Sequence, residues 1–369
     1  MHNTLLKPVH DLLKLHNLDA IAFVPGANFR RIFSKDFHLM ERPLVVIVPA
    51  QGKAAAVVPN LELGAFEQMG FDGHVFDWLD QTGFENAFSN AARTLPQLAR
   101  ATRFGLEAQR MRAFEQMALQ RVFPEATMVD AHKELSSIRY RKTLEEIALQ
   151  KKAIEISEAA LEATLAEVRI GQTETEIQAI LLRQLFGCGA NGLAFDPIVA
   201  AGDNAALPHA TARSDYEVKR GDALLIDFGG SYGGYHADIT RTFFVGEVSE
   251  YDRAFYDTVL AANERGRSVT KSGMTAHQVD DAVQLVLENS QFSEFALHKT
   301  GHGLGLDVHE APHIMRGNQE VLESGVVFTV EPGLYRQGEC GVRIEDDVLV
   351  TEDGIECLTS FPRELRIVG

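Results

Sequence analysis

The chain has 369 residues, 45% of them hydrophobic, and its 52 acidic against 35 basic side chains give a formal net charge of −17. That length exceeds what one core usually holds, so two domains are expected, and the acidic balance argues against nucleic acid or an anionic membrane surface as the main partner. Three cysteines without CxxC spacing support neither a disulfide framework nor a cysteine zinc site and fit a reducing cytoplasm; the charged N-terminus and the lack of an apolar run near about 18 residues predict neither export nor a membrane span.

In chain order, Leu5 to His16 carries apolar residues at helical spacing, and the apolar runs Ala20 to Pro25, Leu44 to Ala50 and Ala54 to Pro59 read as strands. Asn60 to Met69 reads as a helix, Arg103 to Ala108 as a strand, and Met111 to Arg121 as a helix stopped by Pro124. This half reads as an α/β domain in which no catalytic residue types cluster. His2, His10, His16, His38 and His74 are scattered, and a lone histidine is more often a surface or packing residue than a ligand.

From Lys133 the text becomes a long charged amphipathic stretch with Thr143 and Glu146 in capping-box spacing. The domain boundary is placed just before it, giving residues 1–131 and 132–369. Gly171 breaks that helix, and a second one follows with Thr173 and Glu176 again spaced as a capping box, ended by Gly187 to Gly189. The next segment, LAFDPIVAAGDNAALPHA, gives a strand and then a loop that carries His209 after Pro208.

The stretch Ala223 to Gly246, ALLIDFGGSYGGYHADITRTFFVG, reads as a hairpin with a glycine-rich turn. It sets Asp227 and Asp238 among Val, Ile, Leu and Phe. Two buried carboxylates facing each other across a hairpin demand a cation, either a metal or an arginine such as Arg241. Glu250 to Arg265 and Ala276 to Asn289 then repeat the order of a helix pair followed by strands.

Phe295 to Met315, FALHKTGHGLGLDVHEAPHIM, invites two false matches. Gly301, Gly303 and Gly305 lack the spacing and the helix start of a dinucleotide fingerprint. His309, Glu310 and His313 fit the HExxH pattern, but Pro312 denies them one helical face. His302, between two glycines that let backbone approach a ligand closely, is the nitrogen ligand expected here. Two more apolar runs each contain one glutamate, Glu331 in GVVFTVEPGLY and Glu345 in GVRIEDDVLVT, the latter two residues after Arg343. Asp227, Asp238, His302, Glu331 and Glu345 make a set of four carboxylates and one histidine that suits two divalent cations with bridging carboxylates, and hence metal-assisted amide hydrolysis.

The ordered set IDFGG, GYHADITRTF, TGHGLGLDVHE, VEPGLY and GVRIEDDVLVT closely resembles the pita-bread metallopeptidases, in the branch of prolidase and proline-specific aminopeptidase P. The resemblance covers most of Leu193 to Thr351 and extends weakly to an N-terminal half that looks like a creatinase-type domain. It implies an N-terminal creatinase-like α/β domain followed by a pita-bread α+β catalytic domain, acting as an Xaa-Pro dipeptidase or aminopeptidase. It further implies that Asp227 binds one metal, that Asp238 and Glu345 bridge the pair, and that His302 and Glu331 complete the second metal. Mn(II) is favoured, with Co(II) and Zn(II) open. By the same resemblance Glu331 doubles as proton shuttle, His209 and His309 line the pocket and stabilise the tetrahedral intermediate, and His298 is a pocket histidine. Family members of this kind act on small peptides and form homodimers.

One departure stands out. Four residues after His309, where some prolidases have an arginine for the substrate carboxylate, this chain has His313. Dipeptide preference is expected to soften, with a KM that worsens as the imidazole deprotonates, unless Arg343 or another arginine takes the carboxylate. A metal-free creatinase-type enzyme or a non-catalytic binding module on the same scaffold would show eroded ligands, whereas all five are kept. An aminopeptidase for longer peptides, or a metal-dependent hydrolase of a non-peptide metabolite, stays open.

Overall fold

Residues 6–369 are described in this computed structural model of the protein; Leu5, the expected first residue of the first helix, and His2 lie outside them. The chain divides into two compact units between Arg139 and Tyr140, later than the boundary expected after residue 131. The reason is local. The short helices His132–Ser136 and Ser137–Arg139 follow the sheet of the first unit, and Ala131 and Leu135 are buried in its core.

In the first unit, six strands form one mixed sheet in the order Gly73–Trp78, Ala54–Pro59, Val45–Pro49, Ala20–Phe23, Arg103–Leu106, Thr127–Asp130. Side chains alternate across a strand, and both faces are apolar. Ala20, Ala22, Val45, Ile47, Ala55 and Val57 pack toward the helices Glu85–Thr94 and Ala113–Val122. Ile21, Phe23, Val46, Val48, Ala56 and Val58 pack toward Lys7–Leu15, Ala27–Phe33 and Asn60–Glu67. A sheet buried on both sides reads as continuous apolar runs, which is how its central strands read in the sequence. The two edge strands, Gly73–Trp78 and Thr127–Asp130, are largely exposed or half-buried and carry no such run.

Among the described residues the second unit holds four sheets, and its two largest are backed by helices. Ile367–Val368, Ile239–Val245, Ala223–Phe228 and Ile198–Ala201 form a four-stranded sheet, and Leu144–Leu165 with Glu174–Gly187 cover it through Ile156, Ala160, Ile177 and Leu181. Glu310–Ile314, Gly301–Gly303, Val327–Val330, Asp346–Val350 and Ile355–Cys357 form a five-stranded sheet. Ala276 and Val279 of the helix Ala276–Glu288 pack on it. Both first helices begin where the sequence places a cap: Thr143 and Thr173 each accept from the backbone of a glutamate three residues on, whose carboxylate returns to the cap backbone. Among the described residues no helix is long and apolar enough to cross a membrane.

Candidate metal centre

Strand register decides which carboxylates meet. In the antiparallel pair Ala223–Phe228 and Ile239–Val245, Asp227 lies opposite Thr240, so Asp238, two residues before Thr240, shares its face but stands diagonally from Asp227. On the five-stranded sheet Val330 pairs with Asp346. The next residues outward are Glu331 and Glu345, which leave the ladder side by side. The backbone N–H of Glu345 donates to Thr240 O at 3.1 Å, tying one sheet to the other, and that of Glu331 donates to Thr300 O at 2.8 Å.

His302 is the middle residue of Gly301–Gly303 and is buried. Its Nδ1 lies 3.1 Å from Gly303 O; donation there leaves Nε2 bare, as a metal ligand requires. Nε2 is 3.2 Å from Glu331 Oε1 and 3.7 Å from Asp238 Oδ2. Burial, then the neighbouring His309 ring, holds its pKa well below the ordinary value, so the ring is neutral. The flanking glycines answer to the neighbouring strands and not to a ligand. A Cβ on Gly301 would stand 1.8 Å from Thr329 O, and one on Gly303 would stand 2.1 Å from Ala311 O.

The five residues named from the sequence fall into overlapping groups: Asp227, Asp238 and Glu345; His302, Glu331 and Glu345; and Asp238, His302 and His309. Within each group the candidate ligand atoms lie within 4.8 Å of one another. Glu345, Asp238 and His302 each belong to two groups, and of the three only the carboxylates have two oxygens with which to bridge. Burial and mutual repulsion push Asp238 and Glu345 well above the usual carboxylate range, and burial pushes Glu331 up to about 7.

One guanidinium answers this concentration of acid. Arg343 is buried, and its Nη2 donates to Asp227 Oδ2 at 2.5 Å, its Nη1 to the Tyr335 hydroxyl at 2.6 Å, and its Nε to Thr240 Oγ1 at 3.0 Å. Thr240 in turn donates to Glu345 Oε2 at 2.6 Å. Asp227 Oδ1 is buried with no hydrogen-bond partner. Arg241, the alternative partner for Asp227, is turned away and pairs with Asp346 at 2.8 Å; Arg220 pairs with Glu247 on the surface. Four clustered carboxylates, one arginine, a bare imidazole nitrogen and an orphaned carboxylate oxygen fit divalent cations with oxygen and nitrogen ligands.

The residues expected to meet substrate divide by what already holds them. Arg343 is occupied by Asp227, Tyr335 and Thr240, which is a positioning arrangement and not a contact open to a substrate carboxylate. Both nitrogens of His298 are engaged, Nδ1 with Lys299 O at 2.7 Å and Nε2 with the Tyr335 hydroxyl at 2.8 Å. Burial pushes its pKa down to about 4, so His298 presents a neutral ring and no free donor. His309 is exposed and packs on His302, with ring centroids 4.0 Å apart. His209 is exposed in the turn after Pro208. His313 pairs with His302 across adjacent strands, and its Nδ1 meets Lys299 Nζ at 3.1 Å. The strand Glu310–Ile314 also removes the helical face that HExxH needs.

Sequence reasoning passed over Tyr335 and Lys299. A tyrosine in an apolar run and a lysine in a glycine-containing loop carry no spacing signal; only the fold brings them to the centre.

Residues 148–352 match the model of metallopeptidase family M24, and residues 6–141 match that of the creatinase/prolidase N-terminal domain. The chain is 41% identical over 231 residues to the Xaa-Pro dipeptidase of Pyrococcus furiosus, a match spanning 63% of this chain and 66% of that relative's length. Its structure is similar to that of the Xaa-Pro dipeptidase from Bacillus anthracis, with a TM-score of 0.90, 30% identity and full coverage of both chains. It also resembles the X-Pro aminopeptidase from Thermotoga maritima, with a TM-score of 0.81, 33% identity and coverage of 97% of this chain and 100% of that one.

Proposed function

From the premise that this chain belongs to metallopeptidase family M24, we propose that it hydrolyses the peptide bond preceding proline in Xaa-Pro dipeptides and short peptides, using two divalent cations. The observation that carries this reading is the convergence of Asp227, Asp238, His302, Glu331 and Glu345, with ligand atoms within 4.8 Å in overlapping groups. Asp227 would hold one cation, His302 and Glu331 the other, and Asp238 and Glu345 both. When bound, such cations supply a nucleophile at neutral pH and a Lewis acid for the scissile carbonyl.

The chain's own groups perform the rest. Glu331 is the most accessible of the acidic ligands, its side chain 16% exposed against 5% for Asp238, so it can exchange a proton with substrate and solvent while Thr329 Oγ1 steadies Oε1 at 3.1 Å. His309, exposed at the mouth but with its ring partly desolvated against His302, has its pKa lowered by that desolvation and then by Lys299; it offers an N–H to charge developing on the carbonyl oxygen, a contribution typically worth about 10² to 10³ in rate. His209 lines the same mouth. Proline is recognised by shape, including the ring face of His298, because a tertiary amide has no N–H to bind.

The native cation is taken as Mn(II), because carboxylates supply four of the five candidate ligands and suit that ion, with Co(II) and Zn(II) fitting the same set. The enzyme is taken as a homodimer of the cytoplasm, where the three free cysteines Cys188, Cys340 and Cys357 would stay reduced. Light scattering over micromolar concentrations tests the dimer. For the activity, Mn(II)-loaded protein is assayed on Ala-Pro, Ala-Pro-Ala and Ala-Ala. Cleavage of the first two, absent on the third, lost on chelation and restored by metal, is expected. Cleavage of Ala-Ala at an equal rate, or activity that survives chelation, would overturn the reading. The aminopeptidase alternative predicts Ala-Pro-Ala well ahead of Ala-Pro.

A further inference from the structure

Beside the candidate metal centre stands a cation that no step above uses. Lys299 is half-buried, and its ammonium lies 3.1 Å from His313 Nδ1. The acidic groups that act on it, Glu331 and Asp280, are already engaged. Glu331 faces His302 and Thr329, and Asp280 accepts from the backbone N–H groups of Thr300 and Arg316 at 2.8 and 2.7 Å. Among the described residues Lys299 forms no ion pair with a carboxylate. A lysine so close to a centre that must hold two divalent cations repels them unless an anion comes between.

The contact also defines the state of His313. An ammonium can only donate, so Nδ1 accepts, and the single ring proton resides on Nε2. His313 is therefore neutral, and the pH-dependent imidazolium expected from the sequence is replaced by a fixed ammonium beside it. Lys299 keeps further N–H groups, while His313 Nε2–H points away from the ammonium on the other side of the ring. Lys299 thus offers a positive charge with two donors left over, much of the resource that a guanidinium supplies in one group.

Their position suits a particular anion. His313 and His302 are directly opposed on adjacent antiparallel strands; such pairs point to one face, with Cβ atoms about 4.5–5.5 Å apart. In an Xaa-Pro dipeptide the carboxyl carbon lies three bonds beyond the scissile carbonyl carbon, about 3 Å away at proline's fixed φ, and its oxygens reach about 4 Å. With that carbonyl beside His302, the carboxylate reaches the next side chain on the same face. We propose that Lys299, held in place by His313 Nδ1, binds the free carboxylate of the substrate through its remaining N–H groups. This assignment rests on the Xaa-Pro hydrolase reading and adds to it the group that recognises the carboxyl end.

The test compares Ala-Pro with its C-terminal amide in the Mn(II)-loaded parent, Lys299→Met, Lys299→Arg and His313→Gln. The parent should favour the acid. In Lys299→Met the ratio of kcat/KM for acid over amide should fall about 10- to 100-fold, the range for a lost hydrogen bond to a charged group, mainly through KM. Lys299→Arg should keep the ratio within about 5-fold, and His313→Gln should fall between. A general loss of structure would lower both substrates together and leave the ratio alone. Calorimetry with an uncleavable isostere, in which a methylene replaces the scissile carbonyl, as acid and as amide, reads the same discrimination without turnover. A parent that binds both isosteres equally, or a Lys299→Met ratio equal to the parent's, overturns the assignment. A parent that cleaves neither peptide refutes the hydrolase reading, while the isosteres still decide the carboxylate site.

Discussion

Replacing Asp238 by asparagine should move stability in opposite directions with and without metal. Asp238 shares one group with Asp227 and Glu345, whose candidate ligand atoms lie within 4.8 Å of its own. At that distance two like charges repel by about 3.5 kcal/mol at an effective dielectric of about 20. The chain relieves part of this by holding protons: burial first, then Glu345 and Asp227, raises the Asp238 pKa well above its unfolded value. The folded chain thus binds that proton more tightly than the unfolded one. The resulting penalty is absent in acid and grows as pH rises through the folded pKa. Asparagine, of the same shape and uncharged, should raise the stability of the chelated protein by about 1–3 kcal/mol at pH 8, equivalent to roughly 3–9 °C in Tm, and by much less at pH 5.

With Mn(II) at about 100 times the parent's Kd, binding stabilises the parent by about 2.7 kcal/mol, and a 100-fold weaker site leaves about 0.4. Scanning calorimetry of chelated and loaded protein at both pH values, with elemental analysis, reads all four numbers. An asparagine variant that is less stable than the parent when chelated at pH 8, or that keeps the full metal-dependent rise in Tm, would refute the reasoning.

Removing the neighbours of the centre has separable effects. Arg343→Met removes the guanidinium that holds Asp227 and should lower metal affinity or kcat about 10- to 100-fold; unchanged metal content and turnover would show that Arg343 does not position Asp227. Arg241→Leu strips a buried partner from Asp346, which retains Arg363 at 2.6 Å, and should cost about 3–5 kcal/mol in urea unfolding, a loss below about 1 kcal/mol being incompatible with the buried pair. Thr143→Ala and Thr173→Ala each remove a capping hydroxyl and should cost about 1 kcal/mol. The two losses should add in the double variant, since the caps begin different helices.

The convergence of Asp227, Asp238, His302, Glu331 and Glu345 was legible because each is an ionisable residue set in an apolar or glycine-flanked stretch, where its burial needs a reason. Central strands and capped helices were legible on the same grounds, as runs with one physical interpretation. Gly73–Trp78 and Thr127–Asp130 were not, since an edge strand exposes much of its surface and loses the apolar signature. Ala27–Phe33 is too short to show a helical period, and Glu85–Thr94 is rich in asparagine and other weak helix formers. The role of Arg343 was misjudged because its distance in sequence from Asp227 hides a contact that register creates. Lys299 lay in plain text, but a lysine near a glycine usually means a solvated loop. Its meaning depends on the strand that brings His313 beside it.

The tie between the four- and five-stranded sheets of the second unit has a mechanical side. Asp227 and Glu345 are 118 positions apart, 345 less 227, and the chain has no disulfide among its described cysteines. A cation gripped by both would close that long loop as a removable cross-link. For a covalent bridge over about 100 residues, the chain-entropy model assigns roughly 4.7 kcal/mol. A coordinate bond imposes the same restriction on the unfolded chain only if the cation stays attached there, and scattered carboxylates hold it poorly. The cross-link would therefore act on the native state alone, tightening the enzyme when metal is plentiful and letting its halves breathe when metal is scarce.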